Sequence, residues 1–189
     1  MQAFFISLGA VALAEIGDKT QLLALVLAAR FRAPFQVVAG IFLATVFNHV
    51  LAAWVGTLAA GWLSDQVLAW ILAVSFILMG LWTLIPDKHD GEPKSAARFG
   101  PFLATLIAFF LVEMGDKTQI ATVALAARFD DLFAVAAGTT AGMLVADVPV
   151  VFLGGMAAGR LPMKLIRSAA ASIFLALGVI ALLNALNFF

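Results

Sequence analysis

No cysteine occurs among the 189 residues, which removes disulfides, thiolate metal sites and a cysteine nucleophile together. Charge is scarce as well. Asp, Glu, Lys and Arg make up 12% of the chain, against about a quarter in soluble domains. The formal net charge is zero, and the charges cluster between apolar runs instead of forming a basic stripe, so a nucleic-acid partner is excluded. Histidine is limited to His49 and His89. There is no His-x-x-x-His spacing and no Ser-His pairing, which argues against an intramembrane metal-dependent hydrolase. Any metal must be held by oxygen or imidazole.

Apolar residues are what the chain has in abundance: 64% of it is hydrophobic and the mean hydropathy is +1.10, the composition of an integral membrane protein. Apolar runs of about 20 residues or more, the length a hydrocarbon core of about 30 Å requires, predict six helices near 3–31, 35–62, 67–86, 101–129, 132–160 and 165–187. Turn signals separate them at Arg32-Ala33-Pro34, Ser64-Asp65, Asp130-Asp131 and Leu161-Pro162. The polar stretch 87–100 reads as a linker between residues 1–86 and 101–189. The first run reads as a spanning helix and not a cleaved leader, because no Lys or Arg precedes Lys19 and its pattern recurs at Phe102 to Glu113.

The two halves repeat at a constant offset of 98. Glu15, Gly17, Asp18, Lys19, Thr20 and Gln21 fall on Glu113, Gly115, Asp116, Lys117, Thr118 and Gln119, and Phe35, Gly40, Phe76 and Gly80 fall on Phe133, Gly138, Phe174 and Gly178. One unchanged offset across successive helices marks an internal repeat. With three helices in each copy, the second copy lies upside down relative to the first, so the fold class is all-α: six transmembrane helices as two inverted three-helix repeats. Arg30, Arg32, Lys88, Lys94, Arg98, Arg160, Lys164 and Arg167 fall on one side and Arg128 alone on the other. The positive-inside rule therefore makes the linker cytoplasmic and puts both termini outside. Asp18 precedes Arg30, and Asp116 precedes Arg128, by 12 residues, or about 18 Å of helix. Both motifs then reach the midplane, where they form one site.

An ionised side chain at that depth costs roughly 2.5–3.5 kcal/mol even on lenient scales. Read as continuous helix, Glu15 with Asp18 and Glu113 with Asp116 share faces at i, i+3. Four carboxylates against Lys19 and Lys117 as countercharges leave a deficit that one divalent cation fills. Carboxylates, with Thr20, Gln21, Thr118 and Gln119 as additional oxygen ligands, suit Mn2+, Ca2+ or Mg2+. Gly17 and Gly115 let the backbone approach or the helix loosen locally. A bland alternative pairs Glu15 with Lys19 and Glu113 with Lys117 at i, i+4 as buried glue; it leaves the two aspartates unexplained. His49 and Asp147 occupy equivalent positions of the repeats and are candidates for carrying a coupled proton, interhelical hydrogen bonding being the alternative for each.

Glu-x-Gly-Asp-Lys-Thr, occurring twice among six hydrophobic segments, resembles the GDT family of manganese and calcium transporters, and the resemblance covers essentially the whole chain. It implies exchange of a divalent cation against protons, with Glu15, Asp18, Glu113 and Asp116 binding the metal and coupling it. It also implies a bacterial member in the inner membrane, Mn2+ before Ca2+ as substrate, and export. The expectation is thus a secondary transporter and not an enzyme, without a cofactor, whose partners are the metal ion, protons and the bilayer; a homo-oligomer is left open. A divalent cation channel is the competing class, separable by metal flux without proton movement.

Overall fold

The computed structural model describes residues 1–85, 99–153 and 163–186, and among them eight helices and no strand. They are α1 (Gln2–Glu15), α2 (Lys19–Phe31), α3 (Pro34–Ala60), α4 (Asp65–Thr83), α5 (Pro101–Glu113), α6 (Lys117–Phe129), α7 (Leu132–Leu153) and α8 (Met163–Ala185). The all-helical expectation holds. The linker 87–100 falls, apart from its last two residues, outside the described residues, as does the end expected for the fifth helix at 154–160.

Four helices are long and apolar enough to cross a bilayer: Pro34–Ala60, Asp65–Thr83, Leu132–Leu153 and, within α8, Ser168–Ala185. The predicted continuous helices 3–31 and 101–129 are instead each split in two, at 16–18 and at 114–116. At 13 or 14 residues apiece, these four pieces span about 20 Å each, short of the hydrocarbon thickness.

Local sequence accounts for the boundaries. Arg32 and Asp130 end α2 and α6 in the left-handed region, at φ 51° and 48°, and their N–H groups close onto the carbonyls of Ala28 and Ala126 at 3.0 and 2.9 Å. Pro34 and Pro101 then start α3 and α5 at positions that have no intrahelical use for an N–H. Asp131 Oδ1 accepts the N–H of Ala134 at 3.0 Å at the entry to α7. Pro149, inside α7, cannot donate to the carbonyl of Val145, leaving an acceptor without its helical donor one turn away, beside Asp147.

Packing crosses between the halves of the chain. α7 lies against α1, and α3 against α5 and α6. Both contacts rest on a glycine: a Cβ on Gly138 would stand 2.4 Å from the Phe4 carbonyl oxygen, and one on Gly40 would stand 2.7 Å from that of Phe102. Without a driving force from water, helices in lipid associate through such close backbone approach. α4 and α8 form a third pair. There Gly80 meets Leu175 and Ala171, Gly178 meets Ile77 and Ala73, and the Phe76 and Phe174 rings touch edge to face at 6.1 Å.

The outer surface is apolar, with Phe5, Phe35, Phe47, Trp54, Leu58 and Leu78 among the large side chains left exposed. Trp54, Trp62, Trp70 and Trp82 are all exposed. Arg30 and Arg128 are both exposed in the last turns of α2 and α6, and the Arg30 guanidinium lies 5.1 Å over the Phe31 ring, as stems lying along apolar surface would.

The repeat is asymmetric in its packing. Among the described residues α6 lies against α1, α3, α4 and α7, and its counterpart α2 against α3, α5 and α7. Eight residues of α6 are buried, seven of them within its first ten positions; α2 buries only Thr20, Leu23, Ala24, Leu27 and Ala28.

Gly138→Ala is expected to destabilise the protein by about 1–3 kcal/mol, as overpacking against a backbone atom does. Gly9→Ala, where nothing lies within 4 Å of the added Cβ, is expected to be neutral or to stabilise by up to about 1 kcal/mol. Thermal unfolding midpoints of the two variants in detergent check this, and equal midpoints would contradict the close packing.

Candidate metal centre

The interruption at each motif is a turn built into its sequence. Ile16 sits at φ −62°, ψ 111°, Gly17 at φ +82°, and the Asp18 N–H donates to the Glu15 carbonyl at 3.0 Å. This is type II turn geometry, which wants glycine at its third position. The second copy repeats it: Met114 at φ −60°, ψ 117°, Gly115 at φ +76°, and the Asp116 N–H on the Glu113 carbonyl at 3.0 Å. Gln21 and Gln119 complete the turns, their Oε1 atoms accepting the N–H groups of Gly17 at 2.8 Å and Gly115 at 2.7 Å.

The expectation of i, i+3 carboxylate pairs on one continuous helix face is therefore corrected. Glu15 is the last residue of α1 and Asp18 the N-cap of α2; Glu113 and Asp116 stand likewise at the end of α5 and the start of α6. The positive φ of the intervening glycine turns the chain, so each motif presents its acids around a bend. A helix-breaking glycine just before an N-capping aspartate was the sequence signal for this.

Three acids converge. Glu15, Glu113 and Asp116 each bring a carboxylate oxygen to within 4.8 Å of the other two, and all three are buried. Thr20 donates its hydroxyl to Glu15 Oε2, and Thr118 to Glu113 Oε2 at 3.1 Å. The remaining oxygens, Glu15 Oε1, Glu113 Oε1 and Asp116 Oδ2, have no hydrogen-bond partner among the described residues. Buried carboxylate oxygens without partners are costly, and a hard cation is the group that satisfies several of them at once.

The lysines pair across the motifs, contrary to the i, i+4 alternative. Lys19 Nζ stands 2.7 Å from Asp116 Oδ1, and Lys117 makes the reciprocal ion pair with Asp18. No sequence pattern within one motif could show this, because the partners are about a hundred residues apart in the chain.

Asp18, buried at 1% exposure, thus faces Lys117 and stands outside the three-acid group. Asp147 is fully buried on α7, with neither carboxylate oxygen hydrogen-bonded among the described residues. Its neighbour Ala146 offers its carbonyl to Gln21 Nε2 at 2.9 Å, which ties α7 to the first motif. His49 is fully buried on α3, and neither ring nitrogen has a partner among the described residues. Asn48 beside it donates to the Phe110 carbonyl on α5 at 3.2 Å.

A family model described as the divalent cation/proton antiporter GDT1 matches residues 3–91 and 101–187. The chain belongs to the GDT1 family. It is 54% identical, over 93% of its length and 88% of the other's, to a protein of Vibrio cholerae serotype O1 provisionally named a manganese exporter. It is 29% identical to GDT1-like protein 5 of Arabidopsis thaliana over 97% of this chain and 96% of that one. It is equally similar, at 29%, to GDT1-like protein 3 of Oryza sativa subsp. indica, over 94% of this chain and 72% of that protein. No solved structure matches. The family and its relatives, with the apolar helices described above, support divalent cation transport across a membrane, and both matched segments contain one copy of the acid-bearing turn.

Gly115→Ala is expected to cost about 1–2 kcal/mol from its left-handed backbone alone, since the space around an added Cβ is open. Gly115→Asn, which tolerates that region better, is expected to lose less. Unfolding midpoints of the two variants provide the comparison; an unchanged alanine variant would speak against the turn.

Proposed function

We propose that the chain exports a divalent cation, Mn2+ first, from the cytoplasm in exchange for protons, with Glu15, Glu113 and Asp116 as the central metal ligands. The observation that carries this reading is the convergence of those three buried acids, from both copies of the motif, within 4.8 Å. Thr20 and Thr118 orient the two glutamates, Gln21 and Gln119 hold the turns that present them, and Asp18 completes the acid set through its pair with Lys117.

Charge balance gives the exchange a physical basis. Glu15, Asp18, Glu113, Asp116 and Asp147, offset by Lys19 and Lys117, sum to minus three when all are ionised. One divalent cation with one proton neutralises the cluster, and so do three protons without the metal. Replacing the cation by two protons keeps the buried charge constant, which is the condition for carrying either load through a low-dielectric interior. Asp147, with two oxygens not hydrogen-bonded among the described residues, is the acid best placed to hold a proton beside the metal. His49 serves in the packing of α3 on this reading.

The membrane arrangement belongs to the same proposal. α1 with α2, and α5 with α6, each make one interrupted span, so that six spans form two inverted repeats, 1–86 and 101–189, joined by a cytoplasmic linker at 87–100, with both termini outside. Interrupted helices whose turns carry the ligands, packed by the middle helix of the opposite repeat, are the architecture of alternating access. The substrate and the export direction follow the name carried by the Vibrio relative. Calcium is the second reading, because the three convergent ligands are all carboxylate oxygens and include no imidazole that would favour Mn2+.

Liposomes containing the purified protein test this. A Mn2+ gradient is expected to drive opposing proton movement, and Asp116→Asn to reduce that flux by at least about tenfold, the loss seen when a metal's supporting shell is damaged. Metal entry without protons would mean a channel or uniporter, and full activity in the variant would remove Asp116 from the site.

A further inference from the structure

The two motifs are alike in sequence, yet their lysines stand in different circumstances. Lys19 pairs with Asp116, and 27% of its side chain is exposed; Lys117 pairs with Asp18, and only 3% of its side chain is exposed. The acids divide in the same way. Asp116 belongs to the group of three whose oxygens converge within 4.8 Å, and Asp18 does not. The carboxylate of the converging group is thus held by the partly exposed lysine, and the carboxylate outside the group by the buried one.

We infer that Lys19 is a built-in competitor of the transported cation: its ammonium holds the charge of Asp116 while no metal is bound, and swings out when a divalent ion takes that carboxylate. The Lys117–Asp18 pair stays closed and ties the two repeats together. This inference rests on the proposed metal site and alters its charge count in one place: with Lys19 outside, the loaded cluster keeps a second proton, and one proton together with the ammonium replaces the cation.

Three physical points support the assignment. Lys19 occupies Asp116 Oδ1, leaving Oδ2 without a hydrogen-bond partner among the described residues. A divalent ion arriving at Oδ2 would share one carboxylate with an ammonium, and the repulsion between them in a buried site is strong. The Lys19 ammonium is the partner that can shift, being partly exposed on a flexible four-carbon stem while Asp116 is 2% exposed. The helix bearing Lys19 is also the less buried, with five buried residues in α2 against eight in α6. Lys117, on the more buried helix, is itself buried.

The test uses the full-length protein in detergent with Mn2+ as the probe, repeated with Ca2+. Removing the competitor is expected to tighten binding, so Lys19→Gln should lower the Mn2+ dissociation constant in calorimetry by about tenfold or more, while Lys19→Arg keeps it near that of the natural protein. Lys117→Gln should lower the thermal unfolding midpoint and give no such tightening. A purely structural role for Lys19 predicts the opposite sign, since loosening a site weakens binding. On the unaltered protein, reductive methylation read by mass spectrometry should label Lys19 faster when Mn2+ is added and leave Lys117 unlabelled.

Weaker or unchanged Mn2+ binding by Lys19→Gln, equal tightening by Lys117→Gln, or Lys19 labelling that does not rise with Mn2+ would each overturn the inference. If the natural protein binds neither Mn2+ nor Ca2+, the metal site itself is overturned. Natural binding with a variant that fails to tighten removes only the lysine's role. The labelling arm needs no variant, so a misfolded Lys19→Gln still leaves the inference decided.

Discussion

Two reciprocal ion pairs, Lys19 with Asp116 and Lys117 with Asp18, are the constraint around which this structure is organised. Each joins a cation of one motif to an anion of the other, so neither motif is electrostatically complete alone. Burying one partner of such a pair without the other is strongly unfavourable. Folding must therefore bring the halves of the chain together at this point before either is stable, and the swapped packing of α7 on α1 and of α3 on α5 does so.

The backbone serves the same end. A continuous helix through either motif would have pointed its acids along one face, with the turn amides consumed in the helical ladder. The type II turns at Gly17 and Gly115 free those amides for Gln21 and Gln119 and swing the glutamates toward the aspartate of the second copy. Because the glutamines satisfy the turn, an interruption in an apolar environment carries no exposed donor at Gly17 or Gly115. Close glycine contacts at Gly40 and Gly138 then bring the flanking helices near enough for the acids to meet.

Pseudo-symmetry makes a site from two copies, and departures from it make the site useful. His49 and Asp147 share a register position but not a chemistry, and both are fully buried. α6 buries eight residues and α2 five, and the difference appears at the centre as unequal exposure of two lysines.

The sequence by itself determined the class of protein, the repeat and the chemical character of its centre. Hydropathy, the offset of 98 and acids inside apolar runs are local or periodic signals, and they depend on transfer energies that each residue carries wherever it sits. Helix ends at Pro34, Pro101 and Asp131 were legible for the same reason, and the turns at Gly17 and Gly115 were half legible, as a loosening of the helix without its geometry. Tertiary structure alone decided which lysine meets which aspartate, that Asp18 stands apart from the three converging acids, and that Lys19 is the more exposed of the two lysines. These depend on the distance and burial of groups about a hundred residues apart, and two copies of an identical Asp-Lys-Thr-Gln string contain nothing that could tell one from the other.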